Sequence, residues 1–176
     1  MKKIVYKKIQ KSEERSLRAL IKTVYDCLEC PEFLIPYTQT ELDNLFNLDF
    51  ALSPDGVYID GRLAGMAQLY TKQETLSHCK EMLSIADKRV IETGGWFVLP
   101  EARQQRFLSN MIAGHPQEAK ELGFDYLIAT IHPENTASVK AAKKLGMEYV
   151  KTIQEGEYLR DIYCLKLGTL SFIKDK

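Results

Sequence analysis

The sequence predicts an α/β fold in which helices pack on the faces of a mixed β-sheet. Three observations carry that expectation. Of 176 residues, 45% are apolar and 27% charged, enough to bury one core at a length typical of one domain. Apolar spacing switches between period two and period 3.6, giving the order β-α-α-β-β-α-β-α-β-α-β-β. Strands and helices alternate only in the second half, which argues against a doubly wound parallel sheet. With no repeat, low-complexity stretch or linker, residues 1–168 read as one domain and 169–176 as a short tail.

Residues 2–10 read as the first strand, carrying Ile4 and Tyr6. Ser12 is placed to cap a helix whose first turn holds Glu13 and Glu14. Leu17, Leu20, Ile21, Val24, Tyr25 and Leu28 follow on one helical face, and Pro31 ends the run. Behind Pro36, Thr40 to Leu48 reads as a shorter helix. Asp60-Gly61-Arg62 is a hairpin tip between strands at 57–60 and 63–71. Leu76, Cys79, Met82, Leu83 and Ala86 give 72–88 a helical spacing. Arg89 to Leu99 is a strand interrupted by Gly94-Gly95, a pair that marks a bulge or a close backbone approach, and Pro100 stops it. Residues 103–122 read as helix, bent at Gly114-His115-Pro116. Gly123 stops that run, Phe124 to Ile131 is a buried strand, and Asn135 to Leu145 a helix closed by Gly146. Met147–Thr152 and Tyr158–Leu167 are the last two strands.

Composition narrows the function. The 24 Lys+Arg balance 24 Asp+Glu, so no basic footprint for nucleic acid is present. Apolar runs fall far short of the ~18 residues that span a bilayer, and the basic start at Met1–Lys8 has no apolar stretch behind it. A soluble, cytoplasmic protein without membrane partners is the expectation. Cys27, Cys30, Cys79 and Cys164 then stay reduced, and the CxxC of Cys27 and Cys30 lacks the second pair a zinc site wants. His78 and His115 have no partners at metal-ligand spacing, so no metal is expected.

The chemistry points to residues 94–109. A strand runs into a short turn and then a helix, whose first N–H groups have no intrahelical partners and whose dipole is positive there. Such a start suits an anion such as a pyrophosphate, and Arg103 and Arg106 add charge. Trp96 and Phe97 straddle the strand, one toward the core and one toward a cleft. Lys140, Lys143 and Lys144 form either a solvated helix face or a contact for an adenosine phosphate, and His132 lines a cleft or is structural.

The stretch VLPEARQQRFLSNMI, followed by AKELGFDYLIATIHPENTASVKAAKKLGMEYV, resembles the two central motifs of the GNAT acetyltransferases. Pro133-Glu134-Asn135-Thr136-Ala137-Ser138 with Lys144-Leu145-Gly146-Met147 stands at the family's distance behind the first motif. The resemblance is clearest over 90–167 and, by element order, extends over 2–167. It implies the acyl-CoA N-acyltransferase fold, a mostly antiparallel sheet of six to seven strands flanked by helices. It also implies direct transfer of acetyl from acetyl-CoA, the co-substrate, to a small-molecule or peptide amine. In this likeness Phe97, Val98 and Leu99 hold the pantetheine through backbone amides. Arg103, Gln104, Gln105, Arg106, Phe107, Leu108 and Ser109 hold the pyrophosphate, and Asn135 and Ser138 complete the cofactor residues. Asn135 is also suited to cap its helix. The 72–88 segment and the first two helices shape the acceptor pocket, and a sheet edge in the last strands is open to pairing across a homodimer.

Two departures bear on activity. The family loop is rich in glycine because phosphate approaches the backbone closely, whereas Gln104, Arg106 and Leu108 stand at the three small positions. Either Arg106 clasps a phosphate itself or the groove is partly occluded. The tyrosine that many members use to protonate the leaving thiolate is Ala142, and spacing assigns Tyr149, Tyr158 and Tyr163 no such role. An acceptor amine needs a base at neutral pH, and Glu92 occupies the matching strand; its alternative is a surface glutamate. The rival to an acetyltransferase is a binding or regulatory domain on the same fold with weak or lost acetyl-CoA binding.

Overall fold

A computed structural model describes residues 2–72 and 74–169. Residue 170 onward, most of the expected tail, lies outside the described residues. In chain order the elements are β1 (Ile4–Lys8), α1 (Glu14–Asp26), α2 (Gln39–Asp43), β2 (Asp55–Ile59), β3 (Arg62–Tyr70), α3 (Glu74–Met82) and β4 (Val90–Val98). There follow α4 (Phe107–Met111), α5 (His115–Glu121), β5 (Tyr126–Ile131), α6 (Thr136–Lys144), β6 (Glu148–Glu155) and β7 (Tyr158–Lys166).

The seven strands form one sheet in the order β1-β2-β3-β4-β5-β7-β6. Every neighbouring pair is antiparallel except β4 with β5. The edges are therefore β1 and β6. Helices α1, α2 and α3 cover one face, where Leu20, Met66, Phe97, Ile128 and Ile162 are buried. Helices α4, α5 and α6 cover the other, against Ile91, Leu127 and Ala129.

Local chemistry explains most boundaries. Asp60 and Gly61 both take positive φ, the pairing a two-residue hairpin turn requires. Helix α1 buries Leu17, Leu20, Ile21 and Val24, the face its spacing predicts. Its start differs from expectation: Ser12 sits inside a 3-10 turn over Lys11–Glu13, and Glu13 accepts from the Gln10 N–H at 3.0 Å. Helix α2 is shorter than expected, because Thr38 and Glu41 form a reciprocal cap and the chain turns again after Asp43. The expected helix over 103–122 begins only at Phe107, since Gln104 and Arg106 both adopt left-handed φ. Its bend is a 3-10 turn over Ile112–Gly114 that lets Pro116 sit in the first turn of α5, where no N–H is needed.

Two irregularities open the sheet. Strands β4 and β5 pair only at Val90↔Tyr126, Ile91↔Leu127 and Glu92↔Ile128, then part. Against β3, β4 carries one extra residue: Gln68 faces Gly94 while Met66 faces Phe97. The bulge is pinned from behind. Thr93 Oγ1 accepts from the Trp96 indole at 3.0 Å and pairs with His115 Nδ1 at 2.7 Å. His115, 1% exposed, reaches Asp55 through Nε2 at 3.1 Å, and Lys8 joins Asp55 to Glu118. His115 thus ties α5 to β4 and β2.

Gly95 takes φ +57° at the bulge, and a Cβ there would run into the hydroxyls of Tyr70 and Tyr37. Gly95→Ala is expected to lower stability by about 2–4 kcal/mol, through left-handed strain and overpacking together. Urea unfolding with an unchanged m-value checks this; a loss under ~0.5 kcal/mol would show that the bulge relaxes.

Candidate active site

The site grows from strand alternation. Tyr70 on β3 pairs with Glu92 on β4, and Glu92 with Ile128 on β5. Thr130, two residues farther along β5, faces Ile162 of β7, and Arg160 lies two residues before Ile162. Side chains two apart share a face, so Tyr70, Glu92, Thr130 and Arg160 line up across four strands where β4 and β5 diverge. The loop after α1 roofs them. Phe33, Leu34, Ile35, Pro36, Tyr37 and Glu41 complete a cleft of about 110 Å³.

Glu92 is 4% exposed. The Thr130 hydroxyl donates to its Oε1 at 2.8 Å, while Oε2 has no partner among the described residues. Burial pushes its carboxyl up to about 7, partly offset by hydrogen bonds from Thr130. A carboxyl titrating near neutrality can take a proton from an amine. Tyr37 and Tyr70 hydrogen-bond through their hydroxyls beside Gly95, and burial holds both phenols far above their ordinary range. They keep their protons, so one hydroxyl donates to the other and the pair retains one O–H to give.

Arg160 is 2% exposed. Its Nη1 donates to the carbonyls of Glu32 at 2.8 Å and Leu159 at 3.0 Å, and its Nη2 is unpartnered among the described residues. Of the tyrosines weighed from sequence, Tyr149 and Tyr163 meet edge to face away from the cleft, and Ala142 is buried in the core behind β5.

The expected co-substrate residues divide by what their backbone faces. The Leu99 N–H donates to Ala64 O at 2.9 Å, so that amide is taken. Antiparallel alternation turns Phe97 toward β3 as well, and only Val98 faces the gap, where its carbonyl accepts from Arg103 Nε at 3.4 Å. Of the three pantetheine amides expected from sequence, one is thus presented. In the turn, Gln104 and Arg106 have φ +62° and +58°, and no backbone N–H from Gln104 to Ser109 has a backbone partner among the described residues. Gln104, Gln105 and Arg106 send their side chains to solvent, while the Phe107 ring is buried in the core. The glycine-type backbone is kept without glycine, and this cradle fits a pyrophosphate. Asn135 caps α6, accepting from the Ser138 N–H at 3.2 Å.

Other features sit elsewhere. Among the described residues, none of α3 lines the cleft: Leu76 and Cys79 pack on Val90, Ile128 and Ile162, and His78 bonds Glu155 at 2.6 Å. This corrects the expectation that the 72–88 segment shapes the pocket. A groove of about 280 Å³ between α1 and the β2–β3 hairpin holds no unpartnered buried polar side chain among the described residues. Burial raises the Cys79 thiol and pushes Cys164 up to about 11, so neither is a thiolate nucleophile.

With this geometry in view, a family model described as an acetyltransferase (GNAT) domain matches residues 60–148, half of the sequence. The chain belongs to the GNAT acetyltransferase family. Similar solved structures agree on the fold. An N-acetyltransferase from Staphylococcus aureus Mu50 has 19% identity and a TM-score of 0.69, covering 94% of this chain and 99% of that one. An N-acyl amino acid synthase from uncultured soil microbes has 12% identity and a TM-score of 0.73, covering 96% and 93%. The ribosomal-protein-S18-alanine N-acetyltransferase from Escherichia coli has 10% identity and a TM-score of 0.67, covering 99% of both. No curated protein matches the sequence. At these identities the structures speak for the GNAT fold alone.

Sequence reasoning placed Glu92 on its strand but missed Tyr37, Tyr70, Thr130 and Arg160. The strand period was legible around each, yet only the sheet register brings them to one cleft.

In this GNAT domain Glu92 favours its protonated form on folding. Stability should therefore fall as pH rises from about 4.5 toward about 7 and then level off. Glu92→Gln removes that dependence. The gap between variant and wild type should widen by up to about 3 kcal/mol across the window. Chemical unfolding at several pH values reads it, and a constant gap would mean that Glu92 is not the raised carboxyl.

Proposed function

We propose that the protein is an acetyl-CoA-dependent N-acetyltransferase in which Glu92 is the general base. The observation that carries this reading is a buried carboxyl with one unpartnered oxygen at the point where β4 and β5 part. The unpaired amides of the 104–109 turn and the Val98 backbone are the groups that would hold the co-substrate. Bound acetyl-CoA supplies the acetyl group. Glu92 takes a proton from the acceptor ammonium, and Thr130 orients its carboxylate by hydrogen bonding to Oε1. The Tyr37–Tyr70 pair is a protonated donor lining the same cleft and would stand in for the tyrosine that Ala142 replaces.

The rival reading, a domain with weak or lost acetyl-CoA binding, rested on the missing glycines. Left-handed φ at Gln104 and Arg106 supports the enzyme reading instead. Among similar structures, one holds acetyl-CoA, a ribosomal L7/L12 alpha-N-protein acetyltransferase holds CoA, and a third, in its apo form, is an agmatine N-acetyltransferase. By analogy, a small-molecule or peptide amine is the acceptor class here. A homodimer, where formed, would use β6, the outer strand beyond β7. Placement in the cytoplasm belongs to the same proposal.

Calorimetric titration with acetyl-CoA should give micromolar binding, and no binding at millimolar ligand would leave the rival reading standing. Glu92→Gln should lower kcat/KM by about 10²–10⁴ and abolish the rise in rate that wild type shows up to a pH of about 7. In a separate check, Arg106→Gly should raise stability by about 0.5–1 kcal/mol, by relieving a left-handed non-glycine residue. Acetyl-CoA affinity should stay the same or improve in that variant; a tenfold loss would make Arg106 a phosphate ligand.

A further inference from the structure

We propose that the acceptor carries its own carboxylate, as an amino acid with an apolar side chain does, and that Arg160 receives it. This rests on the acetyl-transfer reading of the same cleft.

Three buried side-chain polar atoms lack partners among the described residues, and two of them, Glu92 Oε2 and Arg160 Nη2, belong to residues that line this one cleft. They are opposite in kind. Arg160 is a guanidinium held by two backbone carbonyls and the Tyr158 ring at 5.3 Å, with no ion pair to a carboxylate among the described residues. A cation so buried is expensive unless a counter-charge arrives. Glu92 stands too far away to pair with it, and the other acid of the cleft, Glu41, is already engaged by the Thr38 N–H and hydroxyl. An anionic group on the ligand fills the vacancy at Arg160, and a planar carboxylate matches the guanidinium edge. The ligand's amine then meets Glu92.

The remaining walls choose the rest of the molecule. Leu34, Ile35, Pro36 and Phe97 are apolar, and about 110 Å³ admits a small body. A polyamine would bring a second positive charge against Arg160. A protein N-terminus has no carboxylate beside its amine and would leave Arg160 unpaired.

The test compares L-leucine and L-phenylalanine with L-leucinamide and phenethylamine, which keep the amine and lose the negative charge. Binding is read by calorimetry on the full chain, with and without saturating CoA. The amino acids should bind at least about tenfold more tightly than their carboxylate-free partners. Arg160→Met should erase that preference and Arg160→Lys restore part of it, with CoA affinity unchanged in both. Equal or tighter binding of the carboxylate-free partners overturns the proposal, and so does binding of neither set at about 10 mM. So does a loss of CoA affinity in Arg160→Met without a change in acceptor preference. The wild-type comparison decides even if a variant fails to fold. Absence of CoA binding would end the acetyl-transfer reading, while CoA binding with no preference for the carboxylate ends only this inference.

Discussion

Parallel pairing between β4 and β5 stops after three residue pairs, and most of what is distinctive in the molecule follows from that. A parallel ladder continued to Ile131 would run as far as Gly95 and close the space above Thr130. Once the strands part, Glu92 is left as the last paired residue, walled by β3, β5 and β7 but open on one side. Burial raises its proton affinity, and Thr130 fixes its orientation. The divergence is sustained by the bulge at Gly94–Gly95, which the Trp96–Thr93–His115–Asp55 chain fastens to the opposite face. A buried histidine that has nothing to do with the cleft's chemistry thereby sets its shape.

The cleft holds two unsatisfied groups of opposite sign within one apolar wall, an arrangement that protein folding alone does not favour. Had Arg160 and Glu92 been placed to bridge each other, the cleft would be satisfied without a ligand and its affinity for charged molecules would fall. Keeping them apart leaves each group's solvation to whatever enters. The Tyr37–Tyr70 pair shows the contrasting solution, two buried hydroxyls that satisfy each other.

Much of this was legible beforehand. The helical stripe of α1, the hairpin at Asp60-Gly61, the strand irregularity at Gly94-Gly95 and the cap at Asn135 all follow from local rules, and the structure places them as read. Glu92 could be put on its strand for the same reason. The positions of Tyr70, Thr130 and Arg160 relative to it could not, because register between β3, β4, β5 and β7 is set by long-range pairing that no local spacing records. The turn over 104–109, proposed to hold a pyrophosphate, is a different case. Glycine is one means of reaching left-handed φ, and here Gln104 and Arg106 reach it under constraint from the flanking β4 end and α4. Residue identity therefore understated how much of the backbone geometry survives.

The two halves of the cleft are encoded in separate stretches of chain. The side proposed to hold the co-substrate comes from 98–109, inside the stretch that the family model matches, whereas Phe33 to Glu41 and Arg160 fall outside it. The roof is fastened by its own bonds: Arg160 to Glu32 O, the Tyr25 hydroxyl to Ile35 O, and the Tyr37 N–H to the Tyr25 hydroxyl. The roof is thus a separately fastened segment, tied to β3 through the Tyr37–Tyr70 hydroxyl pair. Exchanging residues 31–41 together with the residue at 160 would re-cut the acceptor walls without touching the proposed proton donor only if Tyr37 were kept.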